Sequence, residues 1–172
     1  EPNDEQLKAY YAQNPKIVPE QRSVSYVFVS ADMNKPDEYD AGFKKAQQVE
    51  DMIISGSSMQ EAADKFKIKY VTIPAFARNA NIDDKVLSEN LVNKVFSMNA
   101  GMESELMELK DGFVILRVDD IVAEHNADFE SVQNTLIANW KKAEQRKNAY
   151  IKANEILVEL NKGGDFKNAK SA

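Results

Sequence analysis

A chain of 172 residues with net charge −6, 43% hydrophobic and 29% charged residues has the makeup of a soluble globular protein, large enough to bury a core as one domain or as a small domain with a helical extension. The negative balance argues against non-specific nucleic-acid binding, and the absence of cysteine excludes disulfides, thiol nucleophiles and thiolate-held zinc. No apolar run reaches the roughly 18 to 20 residues of a membrane span, and the start at Glu1-Pro2, without Met or signal-peptide pattern, is expected of a piece of a longer parent that can itself be membrane-anchored.

Asn3 or Asp4 caps a first short helix carrying Leu7, Tyr10 and Tyr11, and Asn14-Pro15 stops it. Residues 17–22, with Pro19 inside, form an extended connector. Residues 24–30 read as a strand with Val24, Tyr26 and Phe28 on one face and Val27 and Val29 on the other. Two apolar faces predict a central strand. A polar loop with Pro36 leads into a helix over residues 37–55, with Phe43, Ala46, Val49 and Ile53 at helical spacing and Gly56 ending it. Ser58 and Glu61 form the capping box of a further helix that ends near Phe66. Residues 69–73 are a second strand, closed by Pro74.

After the polar residues 78–84 comes a helix with Leu87, Leu91, Val95 and Phe96, which ends at residues 96–98 and turns at Asn99, Ala100 and Gly101. A strand at 105–109, an Asp111-Gly112 turn and a strand at 113–118 complete a hairpin. The order predicts an α+β domain with a small, mainly antiparallel sheet and packed helices. Asp128 then caps a helix of about thirty residues that ends at Gly163-Gly164, with Phe129, Val132, Leu136, Trp140, Tyr150, Leu157 and Leu160 along one stripe that Lys147 interrupts. Such a stripe needs cover along its whole run: the N-terminal helix, the rest of the parent, or a second copy in a homodimer through this helix. The helix end, glycine and new helix start around Gly56 are echoed around Gly163, as a repeat or because helices often end this way.

Chemistry-bearing groups are sparse. His125 is the only histidine and has no companion ligand, so a structural or solvated role is expected. Asp119 and Asp120, with Glu124 nearby, lack the spacing of a calcium loop, and Asp83-Asp84 reads as a helix cap. No phosphate loop, nucleophile elbow or paired-histidine zinc motif is present, and no cofactor or metal is expected. The apolar side offers more. Phe76, Leu87, Leu91, Phe96, Met98, Met102 and Met107, with Tyr26 and Phe113, gather around the hairpin, as core or as a surface that accepts varied apolar partners.

Residues 91–118 carry a resemblance. Leu91, Val95-Phe96-Ser97-Met98, Gly101-Met102-Glu103-Ser104 and Asp111-Gly112-Phe113-Val114-Ile115-Leu116-Arg117-Val118 resemble the C-terminal half of a parvulin-type (PpiC-like) peptidyl-prolyl isomerase domain, with residues 24–29 as its first strand and 56–66 as its glycine-led helix. The flanks are similar to envelope foldases of the PpiD and SurA kind: a helix with tyrosines, Pro19-Glu20-Gln21-Arg22, and a long Trp-bearing helix. The resemblance implies an N-terminal chaperone segment at 1–22, a parvulin-like domain at 23–122, and a long helix with the start of a next segment at 123–172. It implies a periplasmic or cell-envelope setting and, as partners, unfolded or proline-containing polypeptides. Tyr26, Phe76, Leu87, Leu91, Phe96, Met98 and Phe113 would contact them. Tyr26 and Val114 stand where active members carry histidines, and only Phe76 is kept from the glycine-rich loop that brings a Cys or Asp. Isomerase activity is therefore expected to be weak or lost, with an active isomerase using Tyr26, or an assembly module built on the long helix, as alternatives.

Overall fold

The computed structural model describes residues 1–161. The echo at Gly163 lies outside them. The chain divides into two units: Pro19–His125, and Glu1–Val18 with the chain from Asn126.

The first is an α+β unit, as its element order predicts. Four antiparallel strands lie in the order β3-β2-β5-β4: β2 (Gln21–Ser30), β3 (Lys69–Ala77), β4 (Met107–Leu109) and β5 (Gly112–Val122). β2 is central, pairing with β3 on one edge and β5 on the other. Val27, Val29, Phe113 and Ile115 point to the face covered by α2 (Pro36–Ile54) and α3 (Met59–Phe66), where they meet Ala46, Val49, Met59 and Ala63. Val24, Tyr26, Val114, Leu116 and Val118 point to the other face, towards α4 (Glu89–Val95).

Four local expectations need correction. β3 does not close at Pro74 but runs on to Ala77, because it is an edge strand. Its pairing passes from Ile73 opposite Val24 to Phe76 opposite Arg22, so Pro74 and Ala75 form a bulge, where a missing amide donor does no harm. α4 begins only after Leu87, with Ser88 at its N-cap. Gly42, not Phe43, is buried on α2: a Cβ there would sit 2.6 Å from the Ala31 Cβ, so the absent side chain lets the helix lie against the sheet. Phe43 is pushed outward to stack on Tyr39, ring centroids 6.2 Å apart.

The hairpin exists, but its two-residue loop is Lys110-Asp111, since Leu109 pairs with Gly112. Gly112 is the first residue of β5. It has φ +147°, and a Cβ on it would lie 2.1 Å from the Val29 carbonyl oxygen. The glycine is there for backbone approach as much as for turning.

In the second unit, α1 (Asp4–Gln13) starts with an Asn3–Gln6 capping box and buries Leu7 against Val132 and Leu136 of α5 (Phe129–Asn161). The Tyr11 ring meets Phe129 edge-on at 5.8 Å, its hydroxyl donates to the Ala127 carbonyl, and the Ala127 amide donates to the Lys16 carbonyl at 2.8 Å. The two-residue strands β1 (Ile17–Val18) and β6 (His125–Asn126) stand at the ends of the connecting segments. Only the first part of the α5 stripe is covered among the described residues, with Tyr150 and Leu157 more than half exposed.

Gly112→Ala is expected to lower stability by at least about 2 kcal/mol, because both the backbone conformation and the contact with β2 forbid a methyl group. Urea unfolding checks this, and a change under about 0.5 kcal/mol, the usual range of a neutral surface change, would refute it.

Candidate functional site

Arg22 and α4 fix one wall. A helix of seven residues is too short to hold itself, and its position comes from tertiary contacts. Leu91, Val92 and Val95 pack onto the sheet face, and Phe96 and Met98 follow at its C-terminal end. The Arg22 guanidinium, buried beneath that end, donates to the carbonyl of Val95 at 2.6 Å and to that of Met98, and its Nε pairs with Glu20 at 2.7 Å. It thus adds a charged donor to the last carbonyl of α4, which the Met98 amide also reaches at 3.2 Å, and serves the Met98 carbonyl just past the helix. Arg22 and Arg78 each lie 5.1 Å from the Phe96 ring centroid, and Phe76 meets that ring edge-on at 5.9 Å.

Tyr26 lies at the centre of this face, 1% exposed. Its cross-strand neighbours are Val71 on β3 and Leu116 on β5, neither of which offers a side-chain acceptor. The hydroxyl donates instead to Asp84 Oδ2 at 2.8 Å. Asp84 Oδ1 accepts the amides of Val86 at 2.8 Å and Leu87 at 3.0 Å. Residues 78–88 therefore form a strap between β3 and α4, with Ile82 and Val86 packed on the apolar cluster on either side of Asp84. Outside the strap, a cleft of about 480 Å3 is lined by Arg78, Asn79, Asn81, Leu87, Val92 and Asn93.

Six of the seven expected contact residues come together here: Tyr26, Phe76, Leu87, Leu91, Phe96 and Met98 share one buried cluster, to which Val114 also belongs. Their side chains face one another, none more than 8% exposed. Phe113 does not join them. It is one residue from Val114 on a strand, so it points to the opposite face, where it packs beside Val29 and Ala46 and against the rings of Tyr39 and Phe43. Met107 packs at the edge of the cluster, whereas Met102 is half exposed.

Asp83-Asp84 is not the expected helix cap, because α4 begins only at Glu89 with Ser88 as its N-cap. Asp84 instead accepts amides of its own loop, and its bond to Tyr26, 58 positions away, has no local signal. Arg22 was visible only as part of a flanking motif. His125 is exposed, with Nδ1 3.0 Å from the Ala123 carbonyl. Asp119 is engaged by Arg117 at 2.7 Å and by the buried Ser25 hydroxyl at 2.5 Å. A larger cavity of about 1010 Å3, lined by Ser30, Asp32, Glu38, Glu108, Lys110 and Asp111, contains none of the expected residues.

Burial, reinforced by the hydrogen bond and charge of Asp84, pushes the Tyr26 hydroxyl well above the ordinary phenol range. Burial would raise Asp84 as well, but the Leu87 amide, the Tyr26 hydroxyl, the Val86 amide and the Lys69 charge outweigh it and hold the carboxyl below its usual value. The pair is thus a neutral donor on a carboxylate across the physiological range. A raised folded value means that the Tyr26 contribution is complete below about pH 10 and fades as pH rises through that value. The depressed Asp84 value means that its contribution persists down to about pH 4 and fades below. Tyr26→Phe is expected to cost about 1 kcal/mol at pH 7, and the gap from wild type should narrow between about pH 10 and 12. Urea unfolding across that range is the measurement, and a gap that stays constant would refute the assignment.

A family model described as the PPIC-type PPIase domain matches residues 2–134. A search of curated proteins gives no match. Among solved structures, the chain is similar to one described under the virulence factor PEB4 and the periplasmic protein Cj1289, two structurally related SurA-like chaperones of Campylobacter jejuni, at 13% identity and a TM-score of 0.44, covering 92% of this chain and 62% of that one. It is also similar to PrsA from Bacillus subtilis at 16% identity and a TM-score of 0.39, covering 95% of this chain and 56% of that one. The chain thus spans less than two thirds of the length of either. The sheet, the helices on its two faces and the family match over residues 2–134 agree, and the chain belongs to the PPIC-type peptidyl-prolyl isomerase family.

Proposed function

We propose that the chain is a parvulin-type module of an extracytoplasmic, envelope-type foldase that holds unfolded polypeptides and isomerises prolyl bonds weakly or not at all. One observation carries the reading. Where the family's chemistry is expected, the structure has a Tyr26–Asp84 hydrogen bond inside a closed apolar cluster, with Val114 and Leu116 beside it on β5. Prolyl isomerisation requires no nucleophile. It requires that an X-Pro bond be taken out of water and twisted against a barrier of about 18 to 20 kcal/mol. Here the space against Tyr26, Phe96 and Met98 is filled by the protein's own side chains, so a prolyl bond has no cavity to enter in this conformation. The resemblance of the flanks to envelope foldases supports the extracytoplasmic setting, and the helical unit of α1 and α5 supplies the chaperone-like segment.

A second reading, an active isomerase that uses Tyr26, is favoured by the polarisation of its hydroxyl by the Asp84 carboxylate. A proline-peptide isomerisation assay on the whole chain separates the two. Acceleration of the uncatalysed exchange, which takes tens to hundreds of seconds, is expected to stay below about tenfold at micromolar protein. Large turnover that disappears in Tyr26→Phe or Phe96→Ala would establish the second reading. For the holding activity, the chain at stoichiometric excess is expected to suppress aggregation of an unfolded client; unchanged light scattering would refute it.

A further inference from the structure

Residues 78–88 have no regular secondary structure, yet their exposure alternates in the way a bound extended peptide's does. Leu87, next to α4, is buried in the cluster itself, and in the six residues before it Asn81, Asp83 and Lys85 are exposed while Ile82, Asp84 and Val86 are turned inward. The two apolar side chains rest on the buried cluster, and the carboxylate between them takes the one hydroxyl at its centre. Side chains at alternate positions entering pockets are how a groove reads an extended chain.

The strap is held by side chains rather than by a ladder, with Leu87 in the buried cluster and Arg78 5.1 Å from the Phe96 ring centroid. Its main-chain bonds are local: the Ala80 amide donates to Ala77, the Ser88 amide to Val86 and the Val92 amide of α4 to Ser88, and Asp84 accepts the amides of its own segment. Among the described residues, the hydrogen bond that ties its inward face to the sheet is the one from Tyr26. Its outer side borders the open cleft beside α4. The opposite wall, by contrast, is bolted by the buried Arg22.

We infer that residues 78–88 are an internal pseudo-ligand occupying a polypeptide-binding site formed by Tyr26, Phe76, Leu91, Phe96 and Met98, and that the external ligand is an extended segment with the strap's own pattern, apolar–x–acidic–x–apolar. The inference rests on the reading that this module holds polypeptides, and it names what they present and what they displace. A tethered segment competes at an effective concentration of about millimolar. Apparent affinity for an external segment is reduced by the fraction of molecules whose strap is open.

The test uses the whole chain and a fluorescent peptide with the sequence of residues 79–87, Asn-Ala-Asn-Ile-Asp-Asp-Lys-Val-Leu. Replacing residues 79–86 with a Gly/Ser stretch of equal length should tighten peptide binding by about tenfold or more in fluorescence anisotropy. A scrambled peptide should not show the gain. If the replacement lowers the melting temperature too far for binding to be measured, Asp84→Ala in the otherwise intact strap gives the answer, with an expected gain of several-fold. Equal binding by wild type and the opened variants, equal binding of the scrambled peptide, or no binding by any variant overturns the pseudo-ligand. Aggregation suppression on an unfolded client keeps the two ideas apart: if it persists while peptide binding fails, only the pseudo-ligand falls, and if it too is absent, the holding function falls with it.

Discussion

The parvulin-type unit is referred throughout to β2. Its ten residues all pair with β5 and seven of them also with β3, and they bury side chains on both faces, so the strand separates two cores and fixes the distance between them. A slip of one residue would exchange the faces, sending Tyr26 towards α2 and Val27 towards α4. Two irregularities oppose such a slip, one on each edge at Ser23 and Val24. On the β3 side, Pro74 and Ala75 are accommodated; on the β5 side, the extra residue is Asp119, which the bulge aims at Ser25 and Arg117.

From that strand follows a division between rigid and loosely held parts of the site. Arg22, at one end of β2, reaches across to the last carbonyl of α4 and to that of Met98 beyond it, so the helix end, Phe96 and Met98 are pinned by a buried charge. Removing the guanidinium would take a charged donor from the Val95 and Met98 carbonyls, the former keeping, among the described residues, only the Met98 amide, and such a loss in a buried place is costly. The strap has no ladder and no comparable bolt. Differences of this kind determine which segment opens at low free energy, and they place the adjustable part of the site between β3 and α4.

Element types and order were legible because each is signalled locally: Asn3 and Ser58 by their capping boxes, Gly56 by its position after an apolar period, and the hairpin by its Asp-Gly. Most of the site cluster was legible because helical and strand periods put Leu91, Val95, Tyr26 and Val114 on inward faces. What was not legible depends on distance in sequence. Phe113 lies on the face opposite Val114 because strand alternation separates neighbours, which a family motif does not convey. The extension of β3 through Pro74 depends on its being an edge strand, which is a property of the sheet. Asp84 reads locally as a helix cap, which it is not, and nothing near it signals its tie to a tyrosine 58 positions away.

That tie joins two problems. A hydroxyl set among Val24, Leu116 and Phe76 must find an acceptor or remain unmet at about 1 to 3 kcal/mol. The sheet cannot supply one, because the residues paired with Tyr26 are Val71 and Leu116. The acceptor therefore comes from the strap, and the same bond that satisfies the hydroxyl closes the cluster over it. Polarity and closure at this site are one interaction, so the open state carries the cost of an unpaired Tyr26 unless water or a ligand brings an oxygen of its own. An extended polypeptide that laid only apolar side chains in the strap's place would recover the packing and forfeit that bond. One that also presented a carboxylate at the middle position would recover both, and the site, as built, favours the second.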